Sequence, residues 1–301
     1  MAKRVTPQME KINRQNERRK RKKYSFWGDV WHSLCKNPVT CCAMAVTFAL
    51  ILVAIFADFI APYPYDAADY LNMLSPPSAE HWFGTDNLGR DLFSRCIYGA
   101  RYSLSLGLIC MLLGMVSGGL LGLIASFFGG AVDNIIMRIM DVFQAIPGTL
   151  MAITVIAALG KDIPQLLFAL ALSSLPIFSK TVRAAIFTVR ENEYIESSRA
   201  LGAGNLRLMF RHMLPNALGH IIIYAVGMIS GSIMLIATLS YIGLGIQPPT
   251  PEWGALLNAG KGYITSSAYL VFYPGLCIMI AVLALNILGN GLRDALDPRL
   301  K

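Results

Sequence analysis

The chain alternates between short polar stretches and long runs that hold almost no polar residue. A helix needs about 20 apolar residues to cross the hydrocarbon core of a bilayer. Runs of that kind lie at about 39–61, 102–128, 142–159, 164–182, 217–242 and 269–292. They predict an all-α membrane protein with six transmembrane helices. Ahead of the first run, Phe26, Trp27, Val30, Trp31 and Leu34 recur at helical spacing, while Asp29, His32 and Ser33 fall elsewhere. This pattern predicts an amphipathic helix lying in the membrane interface, with Asn37-Pro38 breaking it from the first span. The chain then divides into a basic tail with the interfacial helix (1–37), a first span (38–61), an external loop (62–100), a five-helix core (101–292) carrying a cytoplasmic loop (189–216), and a cytoplasmic tail (293–301).

Charge sets the expected orientation. The run Arg18-Arg19-Lys20-Arg21-Lys22-Lys23 precedes the first span and holds the N-terminus in the cytoplasm by the positive-inside rule. Six spans return the C-terminus to the same side. The loop with Arg190, Arg199, Arg207 and Arg211 then falls inside, and the loop with Asp66, Asp69, Glu80, Asp86 and Asp91 falls outside. The basic run also suits anionic headgroups, so membrane lipid is an expected partner and nucleic acid is not. No cleavable signal peptide is visible, because the first apolar run starts behind a long charged tail.

Only 15% of the residues are charged, against roughly 25% in soluble domains, and the spans themselves are nearly free of charge. Asp58, Asp141, Lys180 and Arg183 fall near predicted span ends, within reach of the interface. A proton-driven transporter would be expected to bury ionisable groups at membrane depth. Uphill transport by this chain therefore draws on an outside energy source. Gly254 to Gly262 is the nearest approach to a phosphate-binding loop, but its glycines are one residue too far apart and Gly262 stands where Ser or Thr is needed. His81, His212 and His220 are isolated in sequence, and the six cysteines show neither zinc spacing nor a disulfide framework. Gly114, Gly118 and Gly122 make overlapping GxxxG spacings, which suit close packing within the chain or against a second subunit. The sequence offers no catalytic constellation and no bound cofactor.

The most informative segment runs from Glu193 to Asn216. It reads as two short helices, the first over 193–201 and the second over 206–213 stopping near Pro215, joined by Gly202 and Gly204. Glu196, Gly202, Leu214 and Pro215 fall at the spacing of the EAA loop of bacterial ABC importer permeases, which this segment resembles. Ser197 and Ser198 stand for the two alanines, and His212 takes a position that usually carries isoleucine. Two further segments, His81 to Leu104 with Asp86, Arg90, Asp91 and Arg95, and Gln247 to Gly254 with Glu252 and Trp253, look like parts of the C-type subunit of dipeptide and oligopeptide permeases. So do Val132 to Arg138 and the tail Gly291 to Pro298.

The resemblance implies a type I importer permease fold in the bacterial cytoplasmic membrane, importing di- or oligopeptides. It implies a heterodimer with a second permease, two ATPase subunits that bind ATP and magnesium, and an extracytoplasmic peptide-binding protein. Glu196, Ser197, Ser198, Ala200, Leu201, Gly202 and Ala203 would form the coupling helix that docks on the ATPase. The external charged residues Asp86, Arg90, Asp91 and Arg95 either pair with each other or, like Glu252 and Trp253, contact the second permease or the binding protein. Importers of nickel or metal chelates resemble this group closely. A non-transporting scaffold or sensor is the reading from another class.

Overall fold

The computed structural model describes residues 34–296. The interfacial helix expected around Phe26, Trp27, Val30 and Trp31 lies outside these residues. Leu34 is described, and it is buried against Leu292 and Ala295.

Nine helices of eight residues or more organise the described chain: α1 (Pro38–Ile55), α2 (Leu92–Phe128), α3 (Gly130–Ala145), α4 (Gly148–Leu159), α5 (Ile163–Arg190), α6 (Glu193–Ala200), α7 (Asn205–Tyr241), α8 (Trp253–Gly260) and α9 (Tyr269–Leu296). Five of them, α1, α2, α5, α7 and α9, are each long and apolar enough to cross a membrane. The third expected span, 142–159, is not one straight helix. The chain bends by 86° between α3 and α4, so six spans result when that bent pair counts as one. The cause is local: Ile146 is extended and Pro147 follows it, which stops α3 at Ala145.

The pair α2 and α5 forms the spine of the bundle. Its close approach requires glycine. A Cβ on Gly114 would collide with the Ser174 hydroxyl, and one on Gly122 with the Ser179 carbonyl oxygen. The GxxxG spacing thus serves packing inside the chain. The helix α7 crosses this spine and runs beside α9, while α1 leans on α9 and α2 from outside. Two ion pairs tie α3 to α5, Asp133 to Arg183 at 2.5 Å and Asp141 to Lys180 at 2.6 Å. The sequence reading expects Asp141, Lys180 and Arg183 near span ends; in the bundle each is also paired with an opposite charge, which lowers the cost of holding it near hydrocarbon. A third pair, Asp58 with Arg101 at 2.8 Å, ties the turn just past α1 to α2. The Arg101 guanidinium holds the Asp58 carboxyl below its ordinary range.

The helices outrun the apolar windows. The helix α2 begins ten residues before position 102, and α7 begins twelve before position 217. Hydropathy marks the thickness of the bilayer, whereas helix ends are set by caps and packing beyond it. Both overhangs carry the segments that the sequence singled out.

Candidate functional site

Residues 191–213 form a compact knuckle at one end of the bundle, the end that also holds the start of α1 and the close of α2 and α9. The loop 62–91 and α8 cap the opposite end. In the knuckle, α6 ends in a Schellman motif. Gly202 takes φ +83°, its N–H donates to the Arg199 carbonyl at 2.9 Å, and the Ala203 N–H donates to the Ser198 carbonyl at 3.1 Å. The chain reverses there and re-enters a helix at Asn205.

The second helix does not stop at Pro215 as the sequence reading expects. Residues Leu208–Met213 widen into a π turn, and the Leu214 N–H bonds the Met209 carbonyl five residues back. Pro215 then sits in the first turn of the next α-helical stretch, where a missing N–H costs least. The knuckle is consequently continuous with α7.

What anchors the knuckle is apolar. Ile195 is buried among Phe127 of α2, Ile186 and Val189 of α5, and Leu208 and Met213 of α7. Burying such a side chain contributes roughly 1.5–3 kcal/mol. Arg190 adds a polar clamp, donating to the Ser126 carbonyl at 2.6 Å near the C-terminus of α2. The outer face is open. Glu196, Ser197, Ala200, Leu201 and Gly202 are exposed, Ser198 and Ala203 are half-buried, and no atom lies within 4 Å of the place a Gly202 side chain would occupy. The Ser197 and Ser198 hydroxyls donate back to the carbonyls of Glu193 and Tyr194, at 3.0 and 2.8 Å. They thus present a small surface with their donors already used.

Leu201 is 89% exposed and Leu206 is 72% exposed, with Tyr194 and Phe210 nearby in the chain and also exposed. These large apolar side chains are left uncovered by the described chain. Leu206, Phe210 and Tyr194 were missed by motif reading; their signal was apolar residues inside an otherwise charged loop.

The opposite end has the reverse arrangement. Asp86, Arg90, Asp91 and Arg95 are all buried. The Asp86 carboxylate accepts from the Arg90 side chain at 2.8 Å and from the backbone N–H groups of Leu88 and Arg90, and Arg95 lies 3.7 Å from it. Arg95 donates to the Tyr65 carbonyl at 3.0 Å. Asp91 caps α2 through the Ser94 N–H and pairs with His81 at 2.9 Å, so His81 is not isolated. Glu252 and Trp253 are fully buried as well. Glu252 caps α8 through the Ala255 N–H and accepts from the Ser103 hydroxyl, while the Trp253 indole donates to the Cys96 carbonyl at 2.9 Å. These six residues, expected as outer contacts or, for the four loop charges, as partners of one another, are buried within the chain. All six face inward, because in low dielectric each charge needs its partner within the chain. The near-miss phosphate loop is α8 itself, whose Gly254 lets it press on the Ala237 backbone.

Residues 118–301 match the family of the binding-protein-dependent transport system inner membrane component, and residues 25–77 match the N-terminal TM domain of oligopeptide transport permease C. The chain belongs to this transport family. Among its relatives, the dipeptide transport system permease protein DppC of Alkalihalophilus pseudofirmus is 41% identical over 277 residues, covering 92% of this chain and 91% of that one. The glutathione transport system permease protein GsiD of Escherichia coli is 43% identical over 276 residues, covering 91% of each. The fold matches that of an inward-facing MetNI methionine ABC transporter chain with a TM-score of 0.55 at 19% identity, over 67% of this chain and 96% of that one. The chain is thus a multi-pass inner-membrane component of an ABC importer. The knuckle and α8 fall within 118–301, and the start of the cap loop falls within 25–77.

Proposed function

We propose that this permease imports peptides, working as a heterodimer with a second permease, two ATPase subunits and an extracytoplasmic binding protein. In this reading both termini face the cytoplasm, ATP and magnesium stay on the ATPases, and this chain carries out no chemistry. The relatives named for dipeptides and for glutathione, itself a small peptide, support the substrate class. The observation that carries the mechanism is the exposed knuckle continuous with α7.

The ATPase would grip Leu201, Gly202 and the small face of α6. Because Ile195 locks α6 to three long helices, a push on the knuckle moves their ends together rather than bending a loop. Packed helices have discrete arrangements, so such a push switches the bundle between two states. Burial of the cap charges keeps the other end rigid while this happens.

The test is ATP hydrolysis by the assembled transporter. Gly202→Asp places a charge in the docking face and is expected to abolish the stimulation given by peptide-loaded binding protein. Full stimulation in that variant would remove the docking role. Uptake of labelled dipeptide, glutathione and a nickel chelate by the same preparation decides the substrate class.

A further inference from the structure

A cavity of about 390 Å³ opens between α5, α7 and α9 at the knuckle end of the bundle. Among its lining residues are Thr181 of α5, His220, Tyr224 and Met228 of α7, and Asn290 and Arg293 of α9. No acidic side chain lines it. Elsewhere in the bundle Arg101, Lys180 and Arg183 each sit on an aspartate. Arg293 and His220 are in no ion pair among the described residues. A guanidinium with five donors, an amide, two hydroxyls and an imidazole around one space make a setting complementary to an anion.

The cavity ends a longer strip. On α7 the exposed positions Asn216, His220, Tyr224, Gly231, Met234 and Thr238 recur at helical spacing. Nothing lies within 4 Å above Gly227 or Gly231. Apart from Met234 at its far end, this face of amide, imidazole, hydroxyls and bare glycine is better matched to a polar solute than to acyl chains. The volume lies in the range of small-molecule sites.

We propose that this cavity binds the carboxylate of a transported peptide, with Arg293 as its anchor and His220 and Asn290 as supporting donors. The proposal rests on the peptide-importer reading above and adds a subsite to it. Every linear peptide with a free C-terminus carries this group, so the site would suit a transporter that accepts varied side chains.

The experiment uses the assembled transporter, purified without nucleotide and without its binding protein. Binding of radiolabelled dialanine is measured at equilibrium, with unlabelled dialanine and dialanine amide as competitors. Wild type is expected to bind the acid, and the amide to compete about tenfold more weakly, as a charged hydrogen bond predicts. Arg293→Gln should lose about the same factor and Arg293→Lys should recover most of it. Assembly is checked by size exclusion, and His220→Gln serves as the second variant if Arg293→Gln fails to assemble.

The proposal is overturned if wild type binds no dialanine at millimolar concentration, if acid and amide compete equally, or if the glutamine variants bind as wild type does. It is also overturned if phosphatidylglycerol co-purifies with wild type, is lost from Arg293→Gln, and no dialanine binds, which would give the cavity to lipid. Failure of the importer reading shows separately, as absence of ATP-driven dipeptide uptake by wild-type proteoliposomes supplied with the binding protein.

Discussion

The two ends of this bundle are built from similar words and say opposite things. The knuckle at 193–213 and the cap at 81–95 both combine charges with turn glycines, and both stand out in the sequence. At the knuckle the charges and small residues face outward, and one isoleucine holds the structure from within. At the cap the charges face inward, where Asp86, Arg90, Asp91 and Arg95 pair with each other, with His81 and with the backbone, leaving the Arg95 Nε without a hydrogen bond. A dense motif therefore reports that a segment is constrained. Whether the constraint is an outside partner or an inside one depends on burial, which composition does not carry.

This contrast is open to attack at several points. The largest effect belongs to the cap. Asp86→Ala leaves Arg90 and Arg95 buried without their carboxylate, which costs roughly 3–5 kcal/mol. The expected outcome is a steep fall in the amount of folded permease, read by thermal unfolding in detergent. A variant that kept its stability and lost only binding-protein stimulation would return the cap to the role of contact surface. Next is Ile195→Ala at the knuckle, expected to cost about 2–5 kcal/mol of local packing. Hydrogen exchange should rise in 193–203 while the ends of α5 and α7 stay protected, and ATPase coupling should fall with it. Unchanged exchange there would show that the anchor lies elsewhere.

Leu201→Asp sharpens the comparison from the other side. With the side chain almost wholly in solvent, stability should shift by no more than about 0.5 kcal/mol. Stimulated ATPase activity should nonetheless fall at least about tenfold, since an apolar contact of roughly 1.5–3 kcal/mol is replaced by a charge. Equal loss of stability and activity would contradict a free surface. The smallest effect is at Asp58, exposed and held below its ordinary pKa of 3.8 by Arg101. A depressed carboxylate stabilises the fold above its unfolded pKa and loses that contribution as pH falls through the folded value. The difference between wild type and Asp58→Asn should thus be slight at neutral pH and vanish in strong acid. A difference that grows on acidification would be the wrong sign.

Much of the site was legible residue by residue. The Schellman turn at Gly202 follows from a glycine after a short amphipathic helix, and the small face at Ser197 and Ser198 follows from spacing. The continuity of α7 through Pro215 was not legible, because a proline reads as a stop unless a π turn has already released the hydrogen bond it lacks. Nor was the exposure of Leu206 and Phe210, since an apolar residue in a loop reads as buried by default. For the cap charges the sequence left mutual pairing and outside contact both open, and their enclosure was not legible.

The sequence by itself determined the all-α class, the six apolar segments, the place of the knuckle and the family. These depend on local composition and spacing, which act over one helix length. Only the tertiary structure decided which charges meet, which way the cap faces, how the third span bends and where α5, α7 and α9 leave a cavity beside Arg293 and His220. Those outcomes depend on pairs of residues far apart in the chain, such as Ser103 with Glu252 and Asp133 with Arg183, and no pattern along one strand of sequence fixes such distances.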